Sequence, residues 1–305
     1  MKIALIVLAI LLIVFVGPPI VIFYIVFKRA PMEKLRGLSS DSEHYRKYQD
    51  KFGDAISFID NLDSREVEIE SYDGLRLRGI YYDGGYAKTA IFMHGYHTKP
   101  KDSFYVAAKD LYEHGYNLLF PYERAHGLSE GKYLCLGLKE QYDVLDWIGF
   151  LEDKTKEIII YGMSMGSGAV GFASSKIRSK KVKTLIIDCG FYSPYQQMKD
   201  DATKRHIPWF LVVPWEVLYA KLLIGINVKT KVSDSLRENS IPTFFLHGGR
   251  DKSVDVSHGE YNYRENKSAK ELFIVEEAGH TQSYVERHNE AKEKLMSFID
   301  RYSEV

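Results

Sequence analysis

The stretch EIIIYGMSMGSGAV, residues 157–170, decides the fold of this chain. It opens with a run of isoleucines that has the length and composition of a buried parallel strand. A small-residue segment of helical character follows, so Ser164 falls at a tight turn between a strand and a helix. Gly162 and Gly166 let that strand and helix approach closely, and the turn projects the serine hydroxyl outward. The stretch therefore predicts a reactive serine at the carboxyl end of a parallel strand.

Short apolar runs and helical patterns alternate on both sides of this stretch. The alternation predicts an α/β fold with a doubly wound, mostly parallel sheet. The first two runs flank an Asp-Gly pair, which suits a tight turn between antiparallel strands. In chain order the predicted strands are Val67–Ser71, Leu75–Tyr82, Thr89–Met93, Asn117–Pro121, Glu157–Tyr161, Thr184–Asp188, Thr243–His247 and Glu271–Val275. The predicted helices are Ser103–Glu113, Lys139–Leu151, Met165–Ile177 and Glu286–Tyr302.

Residues 191–240 interrupt the alternation, because they separate two predicted strands by far more than a usual connection. We expect them to form a helical cap inserted into the domain. Their middle part is apolar and carries two of the three tryptophans, Trp209 and Trp215. Such a composition fits a helix packed on the core, and it also fits an acyl pocket or a membrane-facing lid. Both interpretations are open at this point.

An uncharged apolar run, Ile3–Phe27, lies near the N-terminus between basic residues. About 20 apolar residues suffice to cross a bilayer, whereas the apolar region of a signal peptide has only about 7 to 15. The run predicts a retained transmembrane helix within residues 1–30, although its Gly-Pro-Pro interruption also allows a signal peptide. Greater positive charge after the run favours a single pass with a cytoplasmic catalytic domain. Residues 31–63 are then a juxtamembrane segment, and residues 64–305 are the catalytic domain that contains the cap.

The charge and cysteine content exclude several kinds of partner. Lysine plus arginine and aspartate plus glutamate number 41 each, so the formal net charge is zero. No basic field attracts nucleic acid, and no nucleic-acid partner is predicted. Cys135 and Cys189 lack the close spacing and neighbouring histidines of a zinc site, and we expect plain buried thiols. No metal and no organic cofactor is predicted.

A serine hydroxyl is a weak nucleophile at neutral pH, so it needs a base beside it. His280 follows the last predicted strand and is the candidate base. When the nucleophile lies at such a strand-to-helix turn, the acid comes between serine and histidine in the chain. Asp251 lies there, in a glycine-rich loop after the penultimate strand, and would orient the imidazole and stabilise its protonated form. Asp188 and Asp255 are the alternative acids.

An oxyanion hole requires two rigid backbone N–H donors near the serine. The sequence His94-Gly95-Tyr96 follows an apolar strand, and we expect the N–H of Tyr96 to be one donor. The N–H of Met165, aided by the partial positive charge of a helix N-terminus, is the other predicted donor. His94 is interpreted as a buried histidine with a structural hydrogen-bonding role, and so is His247.

The motifs together resemble those of the α/β-hydrolase superfamily, and the resemblance covers Val67 to Tyr302. The segments that carry it are HGY at 94–96, GMSMG at 162–166, HGGRDKSV at 247–254 and AGH at 278–280. Residues 123–131, ERAHGLSEG, are similar to a superfamily stretch that braces the loop near the active site, with Glu123 and Ala125 as departures. With its N-terminal apolar run and short cap, the chain also resembles bacterial membrane-anchored hydrolases of the esterase or serine aminopeptidase kind. The resemblance implies the α/β-hydrolase fold and a Ser-His-Asp triad.

The leading functional prediction is a serine hydrolase that cleaves carboxylic esters through Ser164, His280 and Asp251. The expected substrate is a small-molecule or lipid-like ester, because the cap and the N-terminal run are apolar. A serine peptidase or amidase with the same triad is an alternative. A membrane-tethered binding protein without catalytic activity is another, since hydrolase scaffolds also support functions other than hydrolysis.

Overall fold

The computed structural model of the protein describes residues 17–36 and 46–304. Its strands are β1 Ser64–Glu70, β2 Arg76–Tyr82, β3 Lys88–Met93, β4 Tyr116–Pro121, β5 Glu157–Met163, β6 Val182–Asp188, β7 Thr243–Gly248 and β8 Lys270–Val275. Its α-helices are α1 (residues 17–27), α2 Gln49–Asp60, α3 Tyr105–Glu113, α4 Glu140–Leu151, α5 Met165–Ala173, α6 Pro194–Lys204, α7 Trp209–Tyr219, α8 Val232–Leu236, α9 Val256–Glu265, α10 Ser283–Glu286 and α11 His288–Asp300. A π-helical segment, Ala220–Ile224, continues α7. Two short 3-10 helices are Met32–Lys34 and Arg46–Tyr48.

The strands form one sheet in the order β1-β2-β4-β3-β5-β6-β7-β8. Strands β1, β2 and β4 pair antiparallel, whereas every pair from β4 through β3 to β8 is parallel. Every residue of β5 is buried, as expected for a central parallel strand covered on both faces. The predicted α/β fold and its doubly wound, mostly parallel sheet are therefore confirmed.

The first strand of the sheet, β1, differs from the central strands in its exposure. Val67 and Ile69 are half-buried, while the intervening Glu66, Glu68 and Glu70 are exposed. This alternation follows from the period of two in a strand with one face on the protein and one face in water. Strand β1 is an edge of the sheet, and its outer face is acidic.

Apolar layers cover both faces of the sheet. Trp147 of α4 and Phe172 of α5 lie fully buried in the layer on one face. Phe104 beside α3 and Phe298 of α11 lie fully buried in the layer on the other. Burying a large apolar side chain stabilises the fold by about 1.5–3 kcal/mol relative to leaving it exposed. The two layers hold the carboxyl ends of the parallel strands rigidly, which is where the site lies.

Residues 191–240, between β6 and β7, contain α6, α7, the π-helical segment and α8. Helix α7 buries only Val213 and Glu216, and Ala220 and Ile224 of the π-helical segment are also buried. Five apolar side chains of these two elements are exposed, namely Phe210, Leu211, Leu218, Leu222 and Leu223. Helix α7 and the π-helical segment therefore contact the domain through few buried residues and present apolar side chains outward.

One of the two buried residues of α7 carries a carboxyl group. Glu216 is 2% exposed, and neither of its side-chain oxygens has a hydrogen-bond partner among the described residues. Burial raises the pKa of the Glu216 carboxyl to about 8. The folded protein therefore holds a proton at Glu216 that the unfolded chain releases at neutral pH.

We expect Glu216→Gln to flatten the dependence of stability on pH. Because the folded-state pKa is raised, the carboxyl contributes most to stability below its ordinary pKa, and that contribution falls as pH rises toward 8 and beyond. Since one pKa unit corresponds to about 1.4 kcal/mol, the native protein should lose a few kcal/mol more than the variant between pH 5 and pH 9. Urea unfolding at both pH values measures this. The same substitution at exposed Glu260 should leave the native pH dependence unchanged, and parallel curves for Glu216→Gln and the native protein would contradict the assignment.

The N-terminal prediction requires a correction. No helix within residues 17–36 and 46–304 has the length and hydropathy needed to cross a membrane. Residues 1–16 of the predicted anchor lie outside the described residues, and the remainder forms α1. Phe23 and Phe27 of α1 are fully buried, and the Phe23 ring contacts the rings of Phe27, Tyr133 and Tyr219. The prediction of a single-pass membrane protein is therefore wrong: no described helix could span a bilayer, and Phe23 and Phe27 of α1 are buried within the protein. The predicted division at residues 31–63 and 64–305 stays a prediction.

Candidate active site

Ser164 lies at the turn between β5 and α5, as predicted. Its backbone has φ 54° and ψ −111°, a conformation that residues other than glycine rarely adopt. The N–H of Ser164 donates to the carbonyl of Asp188 on the neighbouring strand at 2.9 Å, which holds the turn in this strained state. Strain of this kind persists only where the surroundings enforce it, and it is common at functional sites.

The glycines that flank Ser164 are required by close backbone contacts. A Cβ on Gly162 would lie 2.6 Å from the carbonyl oxygen of Gly166, and a Cβ on Gly166 would lie 2.0 Å from the carbonyl oxygen of Met93. Real Cβ atoms do not approach backbone so closely. The two positions thus bring β5, α5 and the end of β3 together around the serine.

We expect Gly166→Ala to destabilise the protein strongly. The new methyl group would collide with the Met93 carbonyl, which belongs to the sheet and cannot move alone, and overpacking of this kind costs about 1–3 kcal/mol or more. Gly149→Ala is the matched control, because Gly149 lies in the exposed face of α4 with nothing within 4 Å. That change should stabilise the helix by about 0.5–1 kcal/mol. Urea unfolding measures both, and equal stability of Gly166→Ala and the native protein would contradict the packing argument.

A chain of two hydrogen bonds connects Ser164 to Asp251. Nε2 of His280 lies 3.0 Å from Oγ of Ser164, and Nδ1 of His280 lies 2.7 Å from Oδ2 of Asp251. The side chain of Asp251 is buried, while that of His280 is 20% exposed. The structure therefore brings together all three residues that the sequence predicted as a triad, in the order serine, base and acid.

The loop after β7 fixes the Asp251 carboxylate. Its Oδ1 accepts hydrogen bonds from the N–H groups of Ser253 and Val254 at 2.7 and 2.8 Å. Burial alone would raise the pKa of the Asp251 carboxyl, but the histidines His247 and His280 outweigh burial and lower that pKa below its ordinary value. The carboxylate is thus ionised and aimed at His280.

The two alternative acids have other partners. Asp188 is fully buried and accepts a hydrogen bond from Tyr161 at 3.0 Å, and burial raises its pKa to about 6. Asp255 caps the N-terminus of α9, where its Oδ1 accepts from the N–H of Ser257 at 3.0 Å. Of the three candidates, Asp251 is the one placed on Nδ1 of His280.

The predicted oxyanion donors lie on two elements that meet at Ser164. Met165 opens α5, so its N–H has no acceptor within the helix. The loop after β3 passes close by, since a Cβ on Gly95 would be 3.6 Å from Cβ of Ser164. The side chains of Tyr96 and Met165 belong to the same apolar cluster. The predicted use of their N–H groups stays a prediction.

Solved structures of known proteins share this arrangement of sheet and helices. No protein-family model matches the chain. An esterase of Pyrococcus furiosus is similar to it with a TM-score of 0.69 and 24% identity, over 90% of this chain and 99% of the esterase. Another crystal form of that esterase aligns at 28% identity over 79% of this chain and 93% of the esterase, with a TM-score of 0.64. The chain has the α/β-hydrolase fold. The fold that the sequence motifs predicted is thus confirmed.

Two further proteins similar to this chain extend the comparison. The protein YqkD of Bacillus subtilis is 23% identical over 274 residues, which are 87% of this chain and 88% of YqkD. The acylaminoacyl peptidase of Pyrococcus horikoshii matches 81% of this chain with 43% of its own, at 19% identity and a TM-score of 0.56. At such identities the likeness of a solved structure concerns the fold.

Histidines brace the loop that carries Gly95 and Tyr96. Nδ1 of His94 donates to the carbonyl of Gly95 at 2.9 Å, and its Nε2 accepts from the N–H of Glu123 at 3.0 Å. Burial lowers the pKa of His94 to about 4, so the ring is neutral and serves both bonds. Nε2 of His126 accepts from the N–H of His97 at 3.2 Å in the same way. The geometry agrees with the structural role expected of His94.

His247 also contacts the loop that carries Asp251. It is buried, and its Nε2 lies 3.0 Å from the carbonyl of Val254 and 3.5 Å from Oδ2 of Asp251. Burial alone would lower the pKa of His247, but Asp251 outweighs it and raises that pKa. His247 therefore supports the loop that presents Asp251, which agrees with the structural role expected of it.

The buried guanidinium of Arg124 anchors residues 123–131 to the domain. The sequence alone did not indicate this role of Arg124. The guanidinium donates to both carboxylate oxygens of Asp143 at 2.7 and 2.5 Å and to those of Asp73 at 2.9 and 3.1 Å. Asp143 lies on the buried face of α4, and an acidic residue on an apolar helical face is the one signal in the sequence for such a pair. Its partner could not be identified without the fold.

One cluster near the triad has the residue types of a metal site. Potential ligand atoms of Cys189, Asp251 and His280 lie within 4.8 Å of one another. Burial raises the pKa of the Cys189 thiol well above its ordinary value, whereas a thiol must be deprotonated to bind a metal. His280 and Asp251 already bind each other. The donor set therefore fits a buried thiol beside a triad better than a metal site.

Proposed function

We propose that this protein is a serine hydrolase that cleaves carboxylic esters. The observation that carries the proposal is the chain of hydrogen bonds from Ser164 through His280 to Asp251, with distances of 3.0 and 2.7 Å. A neutral imidazole in this position accepts the serine proton through Nε2 while the carboxylate holds the proton on Nδ1. The structural likeness to esterases supports a hydrolase.

The reaction follows from the positions of these groups. Oγ of Ser164 attacks the substrate carbonyl carbon as Nε2 of His280 takes the hydroxyl proton. The N–H groups of Tyr96 and Met165 would then hold the negative oxygen of the tetrahedral intermediate. His280 returns the proton to the departing alcohol, which leaves an acyl group on Ser164. A water molecule, activated by the same imidazole, attacks the acyl group and releases the carboxylic acid and the free serine.

The surroundings favour an apolar acyl group. Met165, which follows the serine in the chain, packs with Tyr96, Leu134 and Leu136 in one apolar cluster. Pockets lined by such side chains bind apolar ligands and leave orientation to a few polar groups. We therefore propose esters with an apolar acyl chain, including lipid-like esters, as the substrate class.

Covalent labelling and a substrate panel test the proposal on the full-length protein. A fluorophosphonate probe should label the protein, and peptide mass spectrometry should place the adduct on Ser164. Nitrophenyl esters with acyl chains of two to sixteen carbons should be hydrolysed with a maximum at intermediate or long chains. Folded protein that neither takes the label nor hydrolyses any ester in the panel would contradict the proposal.

A peptidase is the second candidate, and the likeness to an acylaminoacyl peptidase favours considering it. Acylated peptides and aminoacyl anilides in the same panel separate the two activities. Faster release of amine than of alcohol, compared by kcat/KM, would assign the triad to amide hydrolysis.

A further inference from the structure

The segment before the first strand contacts the loop that would hold the oxyanion. We call residues 25–36 the N-terminal strap. The hydroxyl of Tyr96 donates to the carbonyls of Ile25 and Val26, each at 3.0 Å. The guanidinium of Arg36 donates to the Tyr96 carbonyl at 2.8 Å. The strap thus binds the side chain and the main chain of one predicted oxyanion residue.

The main chain of Arg36 extends this contact along the same loop. Its N–H donates to the carbonyl of His97 at 2.7 Å, and its carbonyl accepts from the N–H of Lys99 at 3.1 Å. The two bonds form a short parallel bridge between Arg36 and Thr98. His97 has φ 54°, a conformation that a residue with a side chain seldom keeps unless neighbours hold it. Arg36 is one of those neighbours.

The strap also binds residues 125–129, which lie beside the loop that carries Tyr96. The N–H of Ala30 donates to the carbonyl of Ala125 at 2.9 Å, and the N–H of Gly127 donates to the carbonyl of Ala30 at 3.0 Å. The guanidinium of Arg29 donates to the carbonyl of Gly127 at 2.7 Å and also to that of Ser129. These contacts lie on either side of His126, whose ring accepts from the N–H of His97.

Apolar contacts fix the start of the strap in the domain. Phe23 and Phe27 are fully buried, and the Phe23 ring lies 5.8 Å from the rings of Tyr133 and Tyr219. The N–H of Leu134 donates to the carbonyl of Phe27 at 2.8 Å. The strap therefore cannot shift without disturbing the core, and it offers the oxyanion loop a rigid support.

We propose that the N-terminal strap positions the oxyanion donor of Tyr96, with Arg36 and the Tyr96 hydroxyl as its positioning groups. The inference rests on the proposed function, because a donor must lie within a few tenths of an ångström of the developing charge to stabilise it. His94 and His126 hold the loop of residues 94–99 from inside the domain, and the strap holds the same loop from outside. Loosening the strap then weakens transition-state stabilisation while substrate binding is retained.

Four variants of the full-length chain test the role of the strap. Tyr96→Phe removes only the hydroxyl, and Arg36→Ala removes the guanidinium together with the methylenes that carry it. Arg36→Pro also removes the N–H that binds the His97 carbonyl. Arg36→Lys keeps one charged donor and should recover part of the activity. Arg178→Ala is the matched control, because its guanidinium donates to the carbonyl of Ser175 at 2.8 Å on an exposed surface outside the strap.

We expect kcat for a short acyl ester to fall about 10-fold in Tyr96→Phe and Arg36→Ala, and further in Arg36→Pro. The losses stay below the 10²- to 10³-fold typical of deleting an oxyanion donor, because the donor is displaced and not removed. KM should change less than about 3-fold, which distinguishes transition-state from ground-state effects. Affinity for a boronic acid, which forms a tetrahedral adduct with the serine, should fall by the same factor as kcat.

Amide hydrogen exchange separates this inference from the proposed function. In the Arg36 variants, exchange of residues 94–99 should accelerate while that of residues 157–170 stays as in the native protein. Variants with the kcat, boronate affinity and exchange of Arg178→Ala would overturn the role of the strap. If the native protein hydrolyses no ester and binds no boronate, the proposed function fails, and exchange alone then decides whether the strap holds the loop.

Discussion

Replacing Ser164 or His280 by alanine is expected to lower kcat for ester hydrolysis by about 10⁶-fold in each case. Oγ of Ser164 and Nε2 of His280 lie 3.0 Å apart and share one proton transfer, so either residue is of little use without the other. The double variant should therefore be no slower than each single variant. Steady-state rates with a nitrophenyl ester, measured at enzyme concentrations high enough to detect residual turnover, give all three values.

Covalent labelling gives an independent readout of the same variants. Ser164→Ala lacks the nucleophile and should take no fluorophosphonate label. His280→Ala keeps the hydroxyl without its base and should label at a strongly reduced rate. Multiplicative losses in the double variant would show that the two residues act separately, and would exclude the triad as the catalytic unit.

Asp251→Asn is expected to lower kcat by about 10⁴-fold while the fold is retained. An asparagine amide can donate to Nδ1 of His280, which would leave the proton of the neutral ring on Nε2. That nitrogen could then no longer accept the proton of Ser164. The carboxylate that stabilises the protonated imidazole would also be lost. Rates with the same nitrophenyl ester, and urea unfolding of the variant, separate the catalytic effect from the structural one.

Asp255→Asn is the matched control for this prediction. Asp255 lies four residues further along the same loop and caps α9, a role that asparagine fulfils about as well as aspartate. Its kcat should stay within about 2-fold of the native value, as for most surface changes. Comparable losses of kcat in Asp251→Asn and Asp255→Asn would mean that the loop as a whole, and not the triad acid, is responsible. A large loss in Asp188→Asn alone would indicate Asp188 as the acid.

Local patterns predicted the sheet because the information for it lies within a few residues. The isoleucines of β5 and the small residues around Ser164 define a buried strand, a turn and a helix without reference to distant parts of the chain. The triad followed from chain order, since the loops after parallel strands meet at one edge of the sheet. Asp251 and His280 end up there, on the loops after β7 and β8.

Contacts between distant segments had no such local signal. Arg36 binds a loop 60 residues away, and its sequence surroundings show only ordinary charged residues. The apolar run before it predicted a membrane helix because hydropathy records how apolar a segment is and not what covers it. The Phe23 ring packs against Phe27, Tyr133 and Tyr219 of the same chain.

The acidic outer face of β1 bears on how these molecules meet one another. An edge strand has unpaired N–H and C=O groups on which a strand of another chain can add. A second copy of β1 aligned there would bring its own glutamates against Glu66, Glu68 and Glu70, and like charges side by side repel. These three exposed carboxylates, two of which pair with Arg78 of β2, thus oppose edge-to-edge growth of the sheet between molecules at high protein concentration.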